Sequence, residues 1–231
     1  MHKDCIIHDV EQGTDSWYEA RNGLLTASEM KLALTPTLKK SNNDKSRSHV
    51  LEIAAQRISG WTEPQYFTSD AMLRGHVDEI TSRNLYSEHY DPVEEVGFIT
   101  RDIGGCVIGY SPDGVGVLGN FGIECKSRNQ KYQIQTISSN EIPEEHILQI
   151  QTGLLVTGWD YMDYVSYSGG LPMWVIRAYP ETKYQDAITE AAIEFERQVN
   201  EKIEEYGNRL ADAKVVIETE REMSQTEVYL G

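Results

Sequence analysis

Ser-Pro-Asp-Gly at residues 111–114 and Ile-Glu-Cys-Lys at residues 123–126 are the two motifs on which the predicted fold depends. The apolar runs Cys106–Tyr110 and Phe121–Lys126 each predict a β-strand, and the glycines between them predict a hairpin that pairs the two. Alternate side chains of a strand point to the same face, so we expect Glu124 and Lys126 to project together. The pairing would bring Asp113 beside both.

Two carboxylates and one ammonium in a small volume have a chemical use. Carboxylates held close together repel each other, and a hard divalent cation such as Mg²⁺ relieves that repulsion. A nearby lysine can orient water for attack on a phosphodiester, which is the arrangement of metal-assisted hydrolysis. The alternative is an exposed acidic turn beside a surface Glu/Lys pair, but a charged pair inside an apolar strand is costly unless it is used.

Asp113 followed by Glu124-Cys125-Lys126 resembles the metal site of the PD-(D/E)xK nuclease superfamily. Other segments resemble, more narrowly, the phage lambda-type 5′→3′ exonucleases, the viral recombinase family with a YqaJ-like domain. These segments are Val10-Glu11-Gln12-Gly13 with Trp17, Arg21, Gly23 and Thr26-Ala27-Ser28-Glu29; Gly75 with Glu79; and Gln149-Ile150-Gln151. They extend over most of the chain in the order of the family.

The resemblance implies an enzyme, a deoxyribonuclease that removes the 5′-terminated strand of linear double-stranded DNA and leaves a 3′ overhang for recombination. It implies that Mg²⁺ is held by Asp113, Glu124, Glu79 and the backbone carbonyl of Cys125, with two ions in the site and Mn²⁺ able to replace them. Lys126 would position the attacking water, and Gln149 would support that water or the substrate.

The resemblance also assigns Arg21, Ser28 and Ser111 to binding of the terminal 5′-phosphate. From the residues alone, the capping box Thr26-x-x-Glu29 predicts a helix that begins near Ala27, and its N-terminus would be an anion site. Caps at Thr26 and Ser28 and a surface ion pair at Arg21 explain the same residues equally well.

The implied partners are double-stranded DNA ends, two further copies of the chain in a homotrimeric ring, and a single-strand annealing protein. The protein would be encoded by a phage or prophage and would act in the cytoplasm of a bacterial host, away from any membrane. The N-terminus lacks the apolar core of a signal peptide, and no apolar run is long enough to span a bilayer.

The net charge of −16 is unusual for a protein that binds DNA and by itself favours an acidic enzyme acting on a small molecule. The charge is uneven, however. Residues 21–60 hold seven basic against three acidic residues, and residues 181–231 hold six basic against thirteen acidic. We therefore expect DNA to bind in a local basic groove that includes the predicted loop residues Lys39, Lys40, Lys45 and Arg47.

The order of predicted elements indicates an α/β fold with one central mixed β-sheet between helices. The resemblance identifies this as a restriction-endonuclease-like core. We predict a single nuclease domain over residues 1–231, with a helical part at about 1–90, the catalytic sheet at about 91–180, and a C-terminal helix and tail at 181–231. Strands are predicted at Val93–Thr100, Gly105–Tyr110 and Phe121–Ser127. A helix is predicted over Asp70–Tyr86 with Ser69 as its N-cap, and its apolar residues Leu73, Ile80 and Leu85 are predicted to face inward. Helical spacing also predicts a helix that starts at Pro143, runs through Val156 and is ended by Gly158.

Other functions remain open. A sequence-specific endonuclease of the same superfamily would share the metal site without needing a 5′-phosphate pocket, and a non-catalytic DNA-end-binding module would use the acids for local contacts alone. An iron–sulfur nuclease would need four suitably placed cysteines, and the chain has three.

Overall fold

A computed structural model of the protein describes residues 1–62 and 70–221, without the side chains of residues 70–72. The strands form two mixed sheets. The first has the order β1-β4-β5-β2 and the second the order β3-β6-β7-β8-β9. The strands are β1 (Ile6–His8), β2 (Leu25–Thr26), β3 (Val93–Glu94), β4 (Phe98–Ile103), β5 (Cys106–Tyr110), β6 (Gly114–Gly116), β7 (Phe121–Ser127), β8 (Tyr161–Tyr167) and β9 (Trp174–Ala178).

Helices pack on both sheets. They are α1 (Asp15–Arg21), α2 (Met30–Ala33), α3 (Asp44–Ser59), α4 (Asp70–His89), α5 (Gln130–Ser139), α6 (Glu144–Thr157) and α7 (Thr182–Ala211). Helix α6 joins the two sheets because it contacts β4 and β5 of the first and β8 of the second. Its sequence explains its bounds: Glu144 and Glu145 occupy the first turn, where acidic residues are favoured, and Gly158 ends it in the left-handed region at φ 65°.

The α/β class with mixed sheets and flanking helices is confirmed, but the strands are divided between two sheets. The predicted hairpin is wrong: β5 pairs with β4 and β2, whereas β7 pairs with β6 and β8. The predicted strand Val93–Thr100 is two strands, β3 and β4, which belong to different sheets. Among the described helices, none is long and apolar enough to cross a membrane.

Two predictions about helices are also corrected. The helix expected near Ala27 begins at Met30 and has four residues, because the Thr26 hydroxyl donates to the Glu29 carboxylate and does not accept from the helix backbone. So short a helix provides no anion site. On α4, Leu73 and Ile80 are exposed and Leu85 is half-buried, whereas the buried side chains among those described are Ser82 and Tyr86, so the predicted inward stripe is wrong. The predicted cap at Ser69 lies outside the described residues.

Candidate active site

The register of two strands brings the motif residues together. Strands β6 and β7 are antiparallel with Gly114 opposite Ile123, so Asp113, which directly precedes β6, continues this register opposite Glu124. A hydrogen bond fixes the arrangement, since the backbone N–H of Cys125 donates to Oδ2 of Asp113 at 2.6 Å. The carboxylates of Asp113 and Glu124 therefore come together where β6 begins. Strand β6 has three residues and is too short to be recognised from the sequence.

Glu124 is the centre of the site. Its side chain is 1% exposed and accepts three hydrogen bonds. Lys126 Nζ and Gln149 Nε2 each donate to Oε1 at 2.5 Å, and the hydroxyl of Tyr110 donates to Oε2 at 2.9 Å. Glu124 and Lys126 thus share a face of β7, as the alternation of the strand predicts. Three donors from β5, β7 and α6 fix the position of this buried carboxylate.

The charges in the site are incompletely balanced. Burial, together with repulsion from Glu124 and Glu79, holds the pKa of Asp113 well above its usual value. Burial alone would lower the pKa of Lys126, but the charges of Glu124 and Asp113 outweigh it and raise that pKa. One ammonium accompanies two buried carboxylates, so an additional cation at this place would be stabilised electrostatically.

The donor set fits Mg²⁺. Asp113 and Glu124 supply hard carboxylate oxygens, and Cys125, whose backbone carbonyl is a further candidate ligand, lies between Glu124 and Lys126 along the chain. In the part of the chain that the structure describes, no group of three His, Cys, Asp or Glu side chains is positioned to hold a metal ion. Mg²⁺ is usually bound through one or two carboxylates and completes its shell with waters and substrate phosphates.

Glu79 lies on α4 beside this centre without joining Asp113 and Glu124 as a third ligand. Arg83 Nη1 is 3.6 Å from its carboxylate and also donates to the backbone carbonyl of Asp113 at 3.0 Å. Burial, and less strongly the charge of Glu124, raises the pKa of Glu79. The electrostatic influence of Glu124 and Lys126 on Glu79 places it at the edge of the site.

The residues assigned to the 5′-phosphate are brought together only in part. Arg21 Nη1 donates a long hydrogen bond of 3.4 Å to Ser111 Oγ, and Trp17 Nε1 donates to the same oxygen at 2.9 Å. Ser28 lines the same cleft as Arg21, while its hydroxyl is 3.2 Å from that of Thr26. The Arg21 guanidinium lies 4.2 Å above the Trp17 ring, and burial lowers its pKa from the usual value.

The basic loop residues are at the surface. Lys39, Lys40, Lys45 and Arg47 are all exposed, and the last two belong to the first turn of α3. Arg47 is engaged with Asp44 at 2.5 Å and with the backbone of Asn42. The three lysines are therefore the more accessible cations of this segment.

Two contributors to the site carry no local sequence signal. Tyr110 looks like an ordinary core residue of β5, and its contact with Glu124 arises only when the two sheets meet. Arg83 reaches Asp113 from another element. Gln149, which the resemblance assigns to the site, reaches Glu124, whereas Gln151 is buried against Tyr179 and the start of α7.

A family model for the YqaJ-like viral recombinase domain matches residues 16–160, which include Asp113, Glu124, Lys126 and Gln149. The chain belongs to this family. The resemblance to YqaJ-like recombinases found in the sequence is confirmed. None of the curated proteins matches the chain.

Solved structures agree with membership of the YqaJ-like family. The crystal structure of an alkaline exonuclease from Laribacter hongkongensis is similar with a TM-score of 0.72 and 28% identity, over 86% of this chain and 98% of that chain. The same enzyme in complex with dAMP matches equally well. A phage-related exonuclease from Haemophilus somnus 129PT shares the fold with a TM-score of 0.58 at 11% identity, over 79% of this chain and 96% of that chain.

Proposed function

We propose that this protein is a Mg²⁺-dependent exonuclease that hydrolyses the 5′-terminated strand of linear double-stranded DNA and leaves a 3′ single-stranded overhang for recombination. By its family and its similarity to an alkaline exonuclease, the chain is a deoxyribonuclease. One observation carries the metal-dependent part of the proposal: the buried carboxylates of Asp113 and Glu124 repel each other, and the Lys126 ammonium is bonded to Glu124.

In this mechanism Asp113, Glu124 and the Cys125 carbonyl would hold Mg²⁺, and Glu79 would supply a further carboxylate for a second ion. Bound there, Mg²⁺ would activate water and neutralise charge on the departing oxygen. The Lys126 ammonium donates to the attacking water, and the 2.5 Å bond to Glu124 aims it. Gln149 and Tyr110 hold the Glu124 carboxylate still, which keeps its oxygens in the geometry that catalysis requires.

The 5′ polarity rests on Arg21. A guanidinium held over an indole ring retains N–H groups that can bind a terminal phosphate in a charge-assisted, bidentate contact. Ser111 lies two residues before Asp113 and contacts Arg21. A phosphate bound at Arg21 would therefore lie beside Ser111, which is separated from the metal-site residue Asp113 by one residue.

Linear duplexes labelled at the 5′ or the 3′ end, with and without a 5′-phosphate, test this function in the presence and absence of Mg²⁺. Asp113→Asn and Lys126→Met should lower hydrolysis by orders of magnitude while thermal unfolding stays close to that of the wild type. Turnover like that of the wild type would remove the residue from the mechanism.

Arg21→Ala should chiefly impair digestion of ends that carry a 5′-phosphate, because a 5′-hydroxyl offers no dianion to pair with. Arg197→Ala, which removes an exposed arginine of α7, is the matched control and should digest both ends normally. An equal loss on both ends for Arg21→Ala would make Arg21 structural. Cleavage of closed circular DNA by the wild type would favour an endonuclease.

We further propose that three copies form a closed ring that gathers the basic residues 21–60 inward and leaves acidic α7 largely outward, and that a single-strand annealing protein receives the overhang. A ring limits the repulsion that a chain of charge −16 would exert on DNA. Light scattering at micromolar concentration should give a trimer. Replacing Lys39, Lys40 and Lys45 by Glu should weaken DNA binding, and unchanged binding would remove that segment from the channel.

A further inference from the structure

A cleft of about 690 Å³ opens beside Arg21, and Arg221 of the C-terminal tail is among the residues that line it. After α7 ends, the chain returns to this cleft and places Arg221 there with Trp61 and Thr62. The mechanism proposed above uses Arg21 and Ser28 from this cleft and gives no role to these three residues.

Two guanidiniums in the cleft are held in the same way. Arg21 lies 4.2 Å above the ring of Trp17, and Arg221 lies 3.6 Å above the ring of Trp61. Stacking on an aromatic face fixes a guanidinium while leaving its N–H donors free to bind other groups. Within the described part of the chain, Arg221 has no hydrogen bond or ion pair, so its donors are available to a ligand.

A second observation also indicates a ligand. The hydroxyl of Thr62 is buried and finds no hydrogen-bond partner among the described residues. Buried hydroxyls are normally satisfied, and a ligand that brings oxygen atoms would satisfy this one. The two acids of the cleft are engaged elsewhere: the Glu29 carboxylate accepts from the hydroxyl and the N–H of Thr26, and the Glu52 carboxylate lies 3.0 Å from Nδ1 of His49.

Three cations, Arg21, Lys31 and Arg221, line the cleft with two acids, so it suits an anion. We propose that Arg221 is a second phosphate-binding residue for the DNA strand whose 5′ end lies at Arg21, and that Trp61 is the positioning residue that holds it. This inference rests on the proposed function. It makes the tail that follows α7 a part of the DNA site.

The number of phosphate contacts is measured by the salt dependence of DNA binding. Each contact adds about 0.9 to the steepness with which log affinity falls against log salt concentration. A variant that has lost one contact should therefore lose about 3.5-fold less affinity than the wild type when the salt rises from about 50 to about 200 mM. Fluorescence anisotropy with a duplex that carries 5′-phosphates, in EDTA to prevent digestion, gives this slope for the wild type and for Arg221→Ala. Lys214→Ala is the matched control, because it removes one charge from the same tail outside the cleft.

Arg221→Ala should lower the slope by about one contact. Trp61→Ala should lower it equally because the guanidinium loses its platform, whereas Trp61→Phe and Lys214→Ala should keep the wild-type slope. An unchanged slope for Arg221→Ala, tighter binding by that variant, or an equal loss for Lys214→Ala would overturn the proposal. A wild type that binds ends with and without 5′-phosphate equally would instead defeat the proposed polarity, independently of Arg221.

Discussion

Arg177→Met should destabilise the protein because it leaves the buried carboxylate of Asp163 without its cation. Asp163 is fully buried on β8. Nε and Nη2 of Arg177, on β9, donate to its two oxygens at 2.9 Å, and the hydroxyl of Tyr86, on α4, donates at 2.6 Å. This network joins two strands of the second sheet to the helix that carries Glu79.

The magnitude follows from burial. Removing one partner of a fully buried ion pair costs about 3–5 kcal/mol. The Arg177 side chain is 41% exposed, so water can replace part of the guanidinium, and Tyr86 continues to donate to the carboxylate. Both effects reduce the cost to about 2–3 kcal/mol, which for a chain of this length lowers Tm by about 5–10 °C.

Thermal unfolding followed by circular dichroism at neutral pH measures the effect. Arg197→Met is the matched control because Arg197 pairs with Glu194 and Glu201 at the surface of α7, where such pairs contribute about 1 kcal/mol or less. The reasoning would be refuted if Arg177→Met stayed within about 0.5 kcal/mol of the wild type, or if the control cost as much. Arg177→Lys, which keeps the charge and loses the two-point contact, should fall between the wild type and Arg177→Met.

Three further substitutions test packing, charge and positioning. Gly122→Ala should cost about 1–3 kcal/mol in unfolding experiments, since the added Cβ would lie 2.0 Å from a ring carbon of Trp159, and an unchanged Tm would contradict it. Glu196→Gln should lose stability at neutral pH and not in acid. Hydrogen bonds from Arg57 lower the pKa of Glu196, so the contribution of its carboxylate to stability is complete above the usual carboxyl pKa of about 4.3 and is lost as the pH falls through the lowered value. Urea unfolding measures the stability of both proteins across that pH range. A loss of stability in Glu196→Gln that stays the same in acid would contradict the prediction. Gln149→Ala should lower kcat with little change in KM, since its amide holds Glu124, and a rise in KM alone would place it on the DNA instead.

Short-range periodicity predicted the elements of the site well. The alternation of β7 put Glu124 and Lys126 on one face, and helical spacing predicted α6, from which Gln149 reaches Glu124. Such predictions succeed because the side-chain period of an element is fixed by its own backbone geometry, whatever packs against it.

The pairing of strands could not be predicted in this way. Cys106–Tyr110 and Phe121–Ser127 look like the two arms of a hairpin because they are the strongest apolar runs near the glycines. The strand that precedes β7 and pairs with it is β6, whose three residues, Gly-Val-Gly, show no alternating pattern and include two glycines, which are disfavoured in strands. Strand β6 is held by pairing with β7 and with β3, which is distant in the sequence. The register of β6 with β7, and not a hairpin of β5 with β7, brings Asp113 opposite Glu124.

The acidic net charge is compatible with DNA binding because the environment of each cation matters more than the total. Arginines at the outer surface are neutralised by neighbours, as Arg47 is by Asp44 and Arg197 by Glu194. In the cleft, Arg21 and Arg221 are held by aromatic rings, and neither forms an ion pair with a described carboxylate. An exposed ion pair is weakened further by salt, whereas a cation held on an indole keeps its full charge for a phosphate. The local field at the cleft can therefore be positive in a protein whose overall field repels DNA.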